Sequence, residues 1–220
     1  MEQKQYIAKL ETLIKQMLKP IKGVPLTLVI ESISGHKIIP FDKKDKKDTR
    51  VIEKLKIVAT FVGQSINRQG ITRSRPNEVG NDIESFVKKE LNRVGYISNT
   101  PTTITGRKKS TGYPDIEFKD EFGRVNYLEC KTFNIENIAT SQRSFYLSPS
   151  EEFKITTNAH HFVLSFEIFV NGKRKNQYIY FAKSWKILSI EKLEVDVKYE
   201  FNADNAKLYS KELIIAQGKL

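Results

Sequence analysis

The sequence predicts a chain of the α/β (α+β) class, and three observations carry that expectation. Apolar residues recur at helical spacing in three segments before residue 95, β-branched and alternating runs are densest after it, and no internal repeat or low-complexity tract interrupts the chain. In order, Tyr6 to Leu18 places apolar residues at 6, 7, 10, 13, 14, 17 and 18, a helical period that Pro20 ends. Pro25 to Ile33 is rich in β-branched residues and reads as a strand, with Ser34-Gly35 turning into a second short strand from Lys37 to Phe41. Asp42 to Arg50 holds mixed charge and no apolar residue, which predicts a solvated loop. Val51 to Ile66 returns to helical spacing through Ile52, Leu55, Val58, Ala59 and Val62. After the polar stretch Asn67 to Asn77, Pro76 opens a helix whose apolar face is Val79, Ile83, Phe86, Val87 and Leu91, and Gly95 closes it. Beyond Tyr96 come short strands. Ser148-Pro149-Ser150-Glu151 then spells a capping box that predicts a short helix. Two strands, His161 to Val170 and Gln177 to Phe181, flank Asn171-Gly172, a hairpin signal. From Trp185 onward no single period is clear.

Composition bounds the function before any motif does. The 220 residues contain 37 Lys and Arg against 26 Asp and Glu, a formal charge of +11 that favours a polyanionic partner. Hydrophobic residues make up 39%, enough for a real core and too many for a disordered basic tail. A single cysteine and three histidines exclude an internal disulfide and a thiolate zinc site, so any metal is expected to be hard and oxygen-bound. No apolar run is long enough to cross a bilayer, and Met1 to Lys19 is peppered with charge, so the chain is expected to be soluble, cytoplasmic and without a membrane partner. No Gly-rich nucleotide-phosphate loop occurs.

The stretch that carries chemistry runs from Thr111 to Phe133. Read as a hairpin with the three-residue loop Glu121-Phe122-Gly123, it supplies glycine where a left-handed residue is needed. Residues whose numbers sum to about 244 then face each other, which sets Asp115 opposite Glu129. Alternation puts Asp115, Glu129 and Lys131 on one face, with Leu128 and Cys130 on the other. Two opposed carboxylates repel, and a hard divalent cation such as Mg²⁺ between them removes the penalty. Acid-any-Lys triplets alone prove nothing, because the chain holds others at Glu2, Asp42, Asp45, Glu117, Glu152 and Asp196. Only the triplet at Glu129 lies in an apolar, β-rich run with a Pro-Asp upstream, and Pro114-Asp115 is the one Pro-Asp in the chain.

These residues resemble the PD-(D/E)xK nuclease superfamily: Pro114-Asp115, then Glu129-Cys130-Lys131 after a short hairpin. Roughly residues 76 to 183 carry the likeness, and within the superfamily the chain looks most like a type II restriction endonuclease. The resemblance implies a restriction-endonuclease-like core, a mixed central sheet flanked by helices, with an N-terminal helical and β extension. It places a nuclease core at residues 71–220 and leaves 1–70 as a subdomain for dimerisation or DNA contacts. It further implies a homodimer that hydrolyses double-stranded DNA with Mg²⁺, Mn²⁺ substituting, and leaves 5′-phosphates. Asp115, Glu129 and the Cys130 carbonyl would hold the metal, Lys131 would position the water, and an acid on the preceding helix falls on Glu84, with Glu78 as its rival.

Bland readings stand beside these. Asp115, Glu129 and Lys131 could form a surface ion pair, Glu84 a solvated helix position, and Cys130 a small core residue with no nucleophilic role. Arg68, Arg73 and Arg75, the basic loop Arg107-Lys108-Lys109, and Ser141, Gln142 and Arg143 are candidate DNA contacts, each equally readable as plain surface. His160 and His161 begin a strand and are expected to pack at its edge rather than ligate a metal. Two other function classes remain: a structure-specific nuclease for junctions or repair intermediates, and an inactive nucleic-acid-binding module on the same fold.

Overall fold

The computed structural model describes residues 2–134, 144–199, 205–208, 210 and 212–216. Two compact units result, Met1–Val24 with Glu194–Leu220, and Pro25–Leu193. Residues 25–70, assigned by the sequence to a separate subdomain ending at 70, thus belong to the unit that holds the main sheet.

In the smaller unit, helix α1 (Glu2–Met17) is followed by strand β1 (Ile21–Pro25), which pairs with β8 (Glu194–Val197) in a two-stranded sheet. A hydrogen bond from the Gly23 amide to Asp196 Oδ1 at 3.1 Å adds to this pairing. A short helix α5 (Asn205–Leu208) lies in the same unit.

The larger unit is built on six strands in the order β2-β7-β6-β5-β4-β3, namely β2 (Ile71–Arg73), β3 (Ile97–Asn99), β4 (Ile116–Lys119), β5 (Val125–Phe133), β6 (His160–Arg174) and β7 (Gln177–Ser189). β5 and β6 run parallel while the other pairs are antiparallel, so the sheet is mixed. Three helices belong to this unit: α2 (Leu26–Ser34), α3 (Lys46–Gln69) and, after a 3-10 turn at Pro76–Glu78, α4 (Val79–Arg93). α3 and α4 supply one wall of the core. Val51, Leu55, Val58, Val62 and Ile66 from α3, with Val79, Ile83, Val87 and Leu91 from α4, meet alternate strand residues Ile116, Phe118, Leu128, Cys130, Phe162, Leu164 and Phe166. The nine residues from His160 to Ile168 are all buried, as expected of a strand covered on both faces. This is a restriction-endonuclease-like core: a mixed central sheet flanked by helices.

Five local expectations are corrected. Leu26–Ser34 is helical rather than a strand, because Leu26 and Ile30 form one buried stripe at helical spacing and Gly35, at φ 72°, ends the helix in the left-handed region. Lys37 to Phe41 forms no strand and contributes only an isolated bridge between Ile38 and Ala159. The supposed loop at 42–50 ends early, since Asp45 caps α3 by accepting from the Lys47 and Asp48 amides at 2.7 and 3.0 Å. No helix follows Ser148. The carbonyls of Glu152 and Phe153 are taken by Lys109 Nζ and the Ile104 amide, which withdraws them from any helical ladder. The last hairpin exists, but its turn is Lys175-Asn176, while Asn171-Gly172 lies inside β6 at a bulge between Val170 and Gly172.

A buried network fixes the turn of the β4–β5 hairpin to the start of α3. Asp120 accepts from the Phe122 and Arg124 amides and from Arg124 Nε at 2.9 Å. Arg124 also donates to Asp48 Oδ1 at 2.7 Å, and His160 Nε2 lies 3.1 Å from the same oxygen. Asp48 is 4% exposed, so its charge depends on these partners. Asp48→Ala should therefore cost about 3 kcal/mol of unfolding free energy, the low end for breaking a buried pair because Arg124 keeps Asp120. Urea unfolding followed by circular dichroism measures it, and a loss below about 1 kcal/mol would show the network to be dispensable.

Candidate active site

The hairpin forms in the register read from the sequence. Ile116 pairs with Leu128, Glu117 with Tyr127 and Phe118 with Asn126, and Gly123 takes φ 75° in the turn. Asp115 sits one residue before β4, and its Oδ2 accepts the Cys130 amide at 2.8 Å, which brings it beside Glu129. Leu128 and Cys130 point into the helix-covered core, so Glu129 and Lys131 emerge on the opposite face of β5.

On that face Lys131 Nζ donates to Glu129 Oε1 at 2.7 Å. Glu129 Oε2 is buried with no hydrogen-bond partner. Burial first, and the Asp115 charge second, push the Glu129 carboxyl up to about 7. Burial also raises Asp115, against the lowering effect of the Cys130 amide and Lys131. An orphaned carboxylate oxygen beside a second carboxylate is the donor set of a hard cation. No group of three or more His, Cys, Asp or Glu side chains converges on a shared point among the described residues. The side-chain donors thus number two, which suits an ion that leaves its remaining positions to a backbone carbonyl, water and phosphate oxygens.

Of the two helix acids, Glu84 is the one whose charge bears on Asp115. It projects from α4 and pairs with Lys88 at 2.6 Å. Glu78 instead accepts from the Arg75 amide at 3.4 Å in the turn before α4. Cys130 is a free, buried thiol, and burial raises it well above its ordinary value, so it is a core residue whose backbone serves the site.

The proposed DNA contacts divide. Arg68, Arg75, Arg107 and Lys108 are exposed. Arg73 is tied to Asp82 by two hydrogen bonds at 2.5 and 2.8 Å. Lys109 is part-buried and donates to the Glu152 carbonyl at 3.3 Å. Ser141, Gln142 and Arg143 lie outside the described residues.

Two side chains near the acids, Lys154 and Tyr113, escaped sequence reading, and a third, His161, was expected only to pack at a strand edge. Lys154, part of a triplet dismissed as compositional noise, is 2% exposed and donates to the Gly112 carbonyl. Tyr113 Oη and His161 Nδ1 are 2.5 Å apart, and burial holds His161 neutral by pushing it down to about 3. His160 and His161 do point to opposite faces, as two neighbours on a strand must, but both are buried rather than at an edge.

Comparison with known proteins gives two matches. The family model described as "MjaV: Type II restriction enzyme MjaV family" matches residues 20–212. The chain is similar to the type II restriction enzyme MjaV of Methanocaldococcus jannaschii, with 42% identity over 235 residues that cover 100% of both chains. No solved structure matches it significantly.

The elevated Glu129 carboxyl has a measurable consequence. The folded protein holds that proton more tightly than the unfolded chain, whose carboxyl titrates near 4.5, so Glu129 costs stability as pH rises from about 4.5 to about 7. In EDTA, Glu129→Gln should leave stability at pH 4.5 nearly unchanged and raise it at pH 8 by an amount on the order of 3 kcal/mol. Urea midpoints at the two pH values test this, and equal shifts at both would refute the strained carboxylate.

Proposed function

The chain belongs to the type II restriction enzyme MjaV family, and on that premise we propose that it is a sequence-specific endonuclease whose hydrolytic centre is Asp115, Glu129 and Lys131. One observation carries the assignment: a single hairpin brings a part-buried carboxylate, Asp115, beside a buried one, Glu129, and an ammonium hydrogen-bonds the latter. Asp115, Glu129 and the Cys130 carbonyl would hold Mg²⁺, with Mn²⁺ able to replace it. When bound, such an ion supplies charge stabilisation for a phosphoryl group undergoing displacement.

The chain's own groups do the rest. Lys131, a quarter exposed at the open side of the site, orients the attacking water and neutralises charge that develops on the phosphate oxygens. The water oxygen bonds to phosphorus as its proton passes to solvent or a nearby base, the P–O3′ bond breaks with its electron pair going to O3′, and that oxygen takes a proton from solvent, leaving a 5′-phosphate and a 3′-hydroxyl. Glu84 lies near enough to act on Asp115 by its charge. Arg75, Arg107, Lys108 and Arg68 are the exposed cations available to phosphates. Arg73 and Lys109 would first have to leave their present partners, and the segment at Ser141, Gln142 and Arg143 is a further candidate for base contacts. Cutting both strands of a duplex calls for two such centres, so the working form is a homodimer acting on DNA in the cytoplasm. Among the described residues no helix is long and apolar enough to cross a membrane. No observation favours the junction-nuclease or inactive-module readings.

Digestion of a sequenced plasmid with Mg²⁺, the ends read by run-off sequencing, should give discrete fragments bearing 5′-phosphates. Glu129→Ala and Lys131→Ala should each slow cleavage by about 10³ or more while duplex binding in Ca²⁺ persists. Either variant cutting at the parental rate would remove the centre from this hairpin.

A further inference from the structure

A lysine with 2% exposure is costly unless its charge is answered, and Lys154 has few hydrogen bonds to answer it. Its described hydrogen bond goes to the carbonyl of Gly112, three residues before Asp115. Three acids, Asp115, Glu129 and Glu84, act on its ammonium, against a burial, and a repulsion from Lys109, that pull it below the ordinary lysine value. The relation is mutual, since Lys154 also lowers Asp115 and Glu129. Of the two lysines that bear on both acids, Lys131 is partly open to solvent and bonded to Glu129, whereas Lys154 is closed off.

Resting on the nuclease reading above, we propose that Lys154 is a positioning residue of the hydrolytic centre: its ammonium tethers the Gly112–Asp115 segment and balances the carboxylate charge from inside the protein. When both acids are ionised, the ammonium groups of Lys131 and Lys154 partly offset their repulsion before any divalent ion arrives. Lys154 differs in kind from Lys131, because a residue so deeply buried does not touch DNA. It acts through the peptide that carries Asp115.

A double-mutant cycle in EDTA at pH 8, where metal and activity play no part, reads the charge balance directly. Lys154→Met should lower the thermal midpoint. In the Asp115→Asn background, where one of the charges it answers is gone, the same substitution should cost less than half as much. Losses that simply add would assign Lys154 to packing alone and overturn the proposal. If Lys154→Met alone does not fold, recovery of a cooperative transition in the double variant supports the balance, and absence of recovery refutes it. Two further readouts separate positioning from DNA contact. With saturating Mg²⁺, Lys154→Met or Lys154→Gln should cut at least about tenfold more slowly, while duplex affinity in Ca²⁺ stays within about twofold of the parent. A Lys154 variant that cuts at the parental rate, or one that loses DNA binding in step with cleavage, would overturn the assignment. Failure of the nuclease reading itself is distinguishable, because the parent protein would then cut no plasmid, whatever the cycle shows.

Discussion

Two carboxylates are held against each other in a place with little water, and most of the larger unit can be read as what that requires. Opposed acids on adjacent strands repel, and burial sharpens the repulsion because the field between them is poorly screened. The Cys130 amide answers Asp115, Lys131 answers one oxygen of Glu129, and the other oxygen is left without a partner. A protein folding only for stability would not keep that oxygen bare, since an apolar residue of similar volume would cost less. On the proposed function, the unpaired atom is the place a cation would occupy after folding.

Such a site needs a rigid frame, and the frame comes from pairing on both sides. β5 is antiparallel to β4 and parallel to β6, so Glu129 and Lys131 cannot slip in register without turning Leu128 and Cys130 out of the helix-covered core. At the far end of the hairpin, Asp120, Arg124, Asp48 and His160 lock the turn to α3 and to the first residue of β6. Charge pairs thus hold both ends of the same hairpin. At one end they join a turn to a helix and a strand; at the other a carboxylate oxygen of Glu129 faces the site without a partner.

Why some of this was legible in the sequence, and some not, has a physical basis. The hairpin register could be read because a three-residue loop ending in Gly123 leaves one pairing that fits, and alternation then assigns each side chain to a face. The amphipathic α3 and α4 announced themselves through spacing, and Gly95 closes α4 with paired 6→1 and 5→2 hydrogen bonds from Tyr96 to Leu91 and from Gly95 to Asn92. α2 did not, because its β-branched residues favour a strand locally while the burial of Leu26 and Ile30 decides otherwise; Pro25 and Gly35 at its ends were the overlooked signal. The Ser148 motif failed for the opposite reason, a good local cap overruled by distant donors claiming its carbonyls. Lys154 was invisible in principle. Its triplet looks like the other compositional ones, and only the fold brings it to Gly112, 42 residues away.

The surplus of eleven positive charges also changes meaning once the structure is in view. Part of the basic inventory is engaged by the protein's own acids: Lys131 and Lys154 near Asp115 and Glu129, Arg124 on Asp48 and Asp120, Arg73 on Asp82, Lys88 on Glu84. Those cations add little long-range attraction for DNA, because nearby carboxylates offset their charge. What attracts a polyanion is the unmatched remainder on the surface, of which Arg107 and Lys108 stand on the loop leading into Asp115. On the proposed function, lysines that offset the acids from within and cations on the surface solve opposite problems. The first keep two acids together without a metal, and the second bring a phosphodiester to acids that would otherwise repel it.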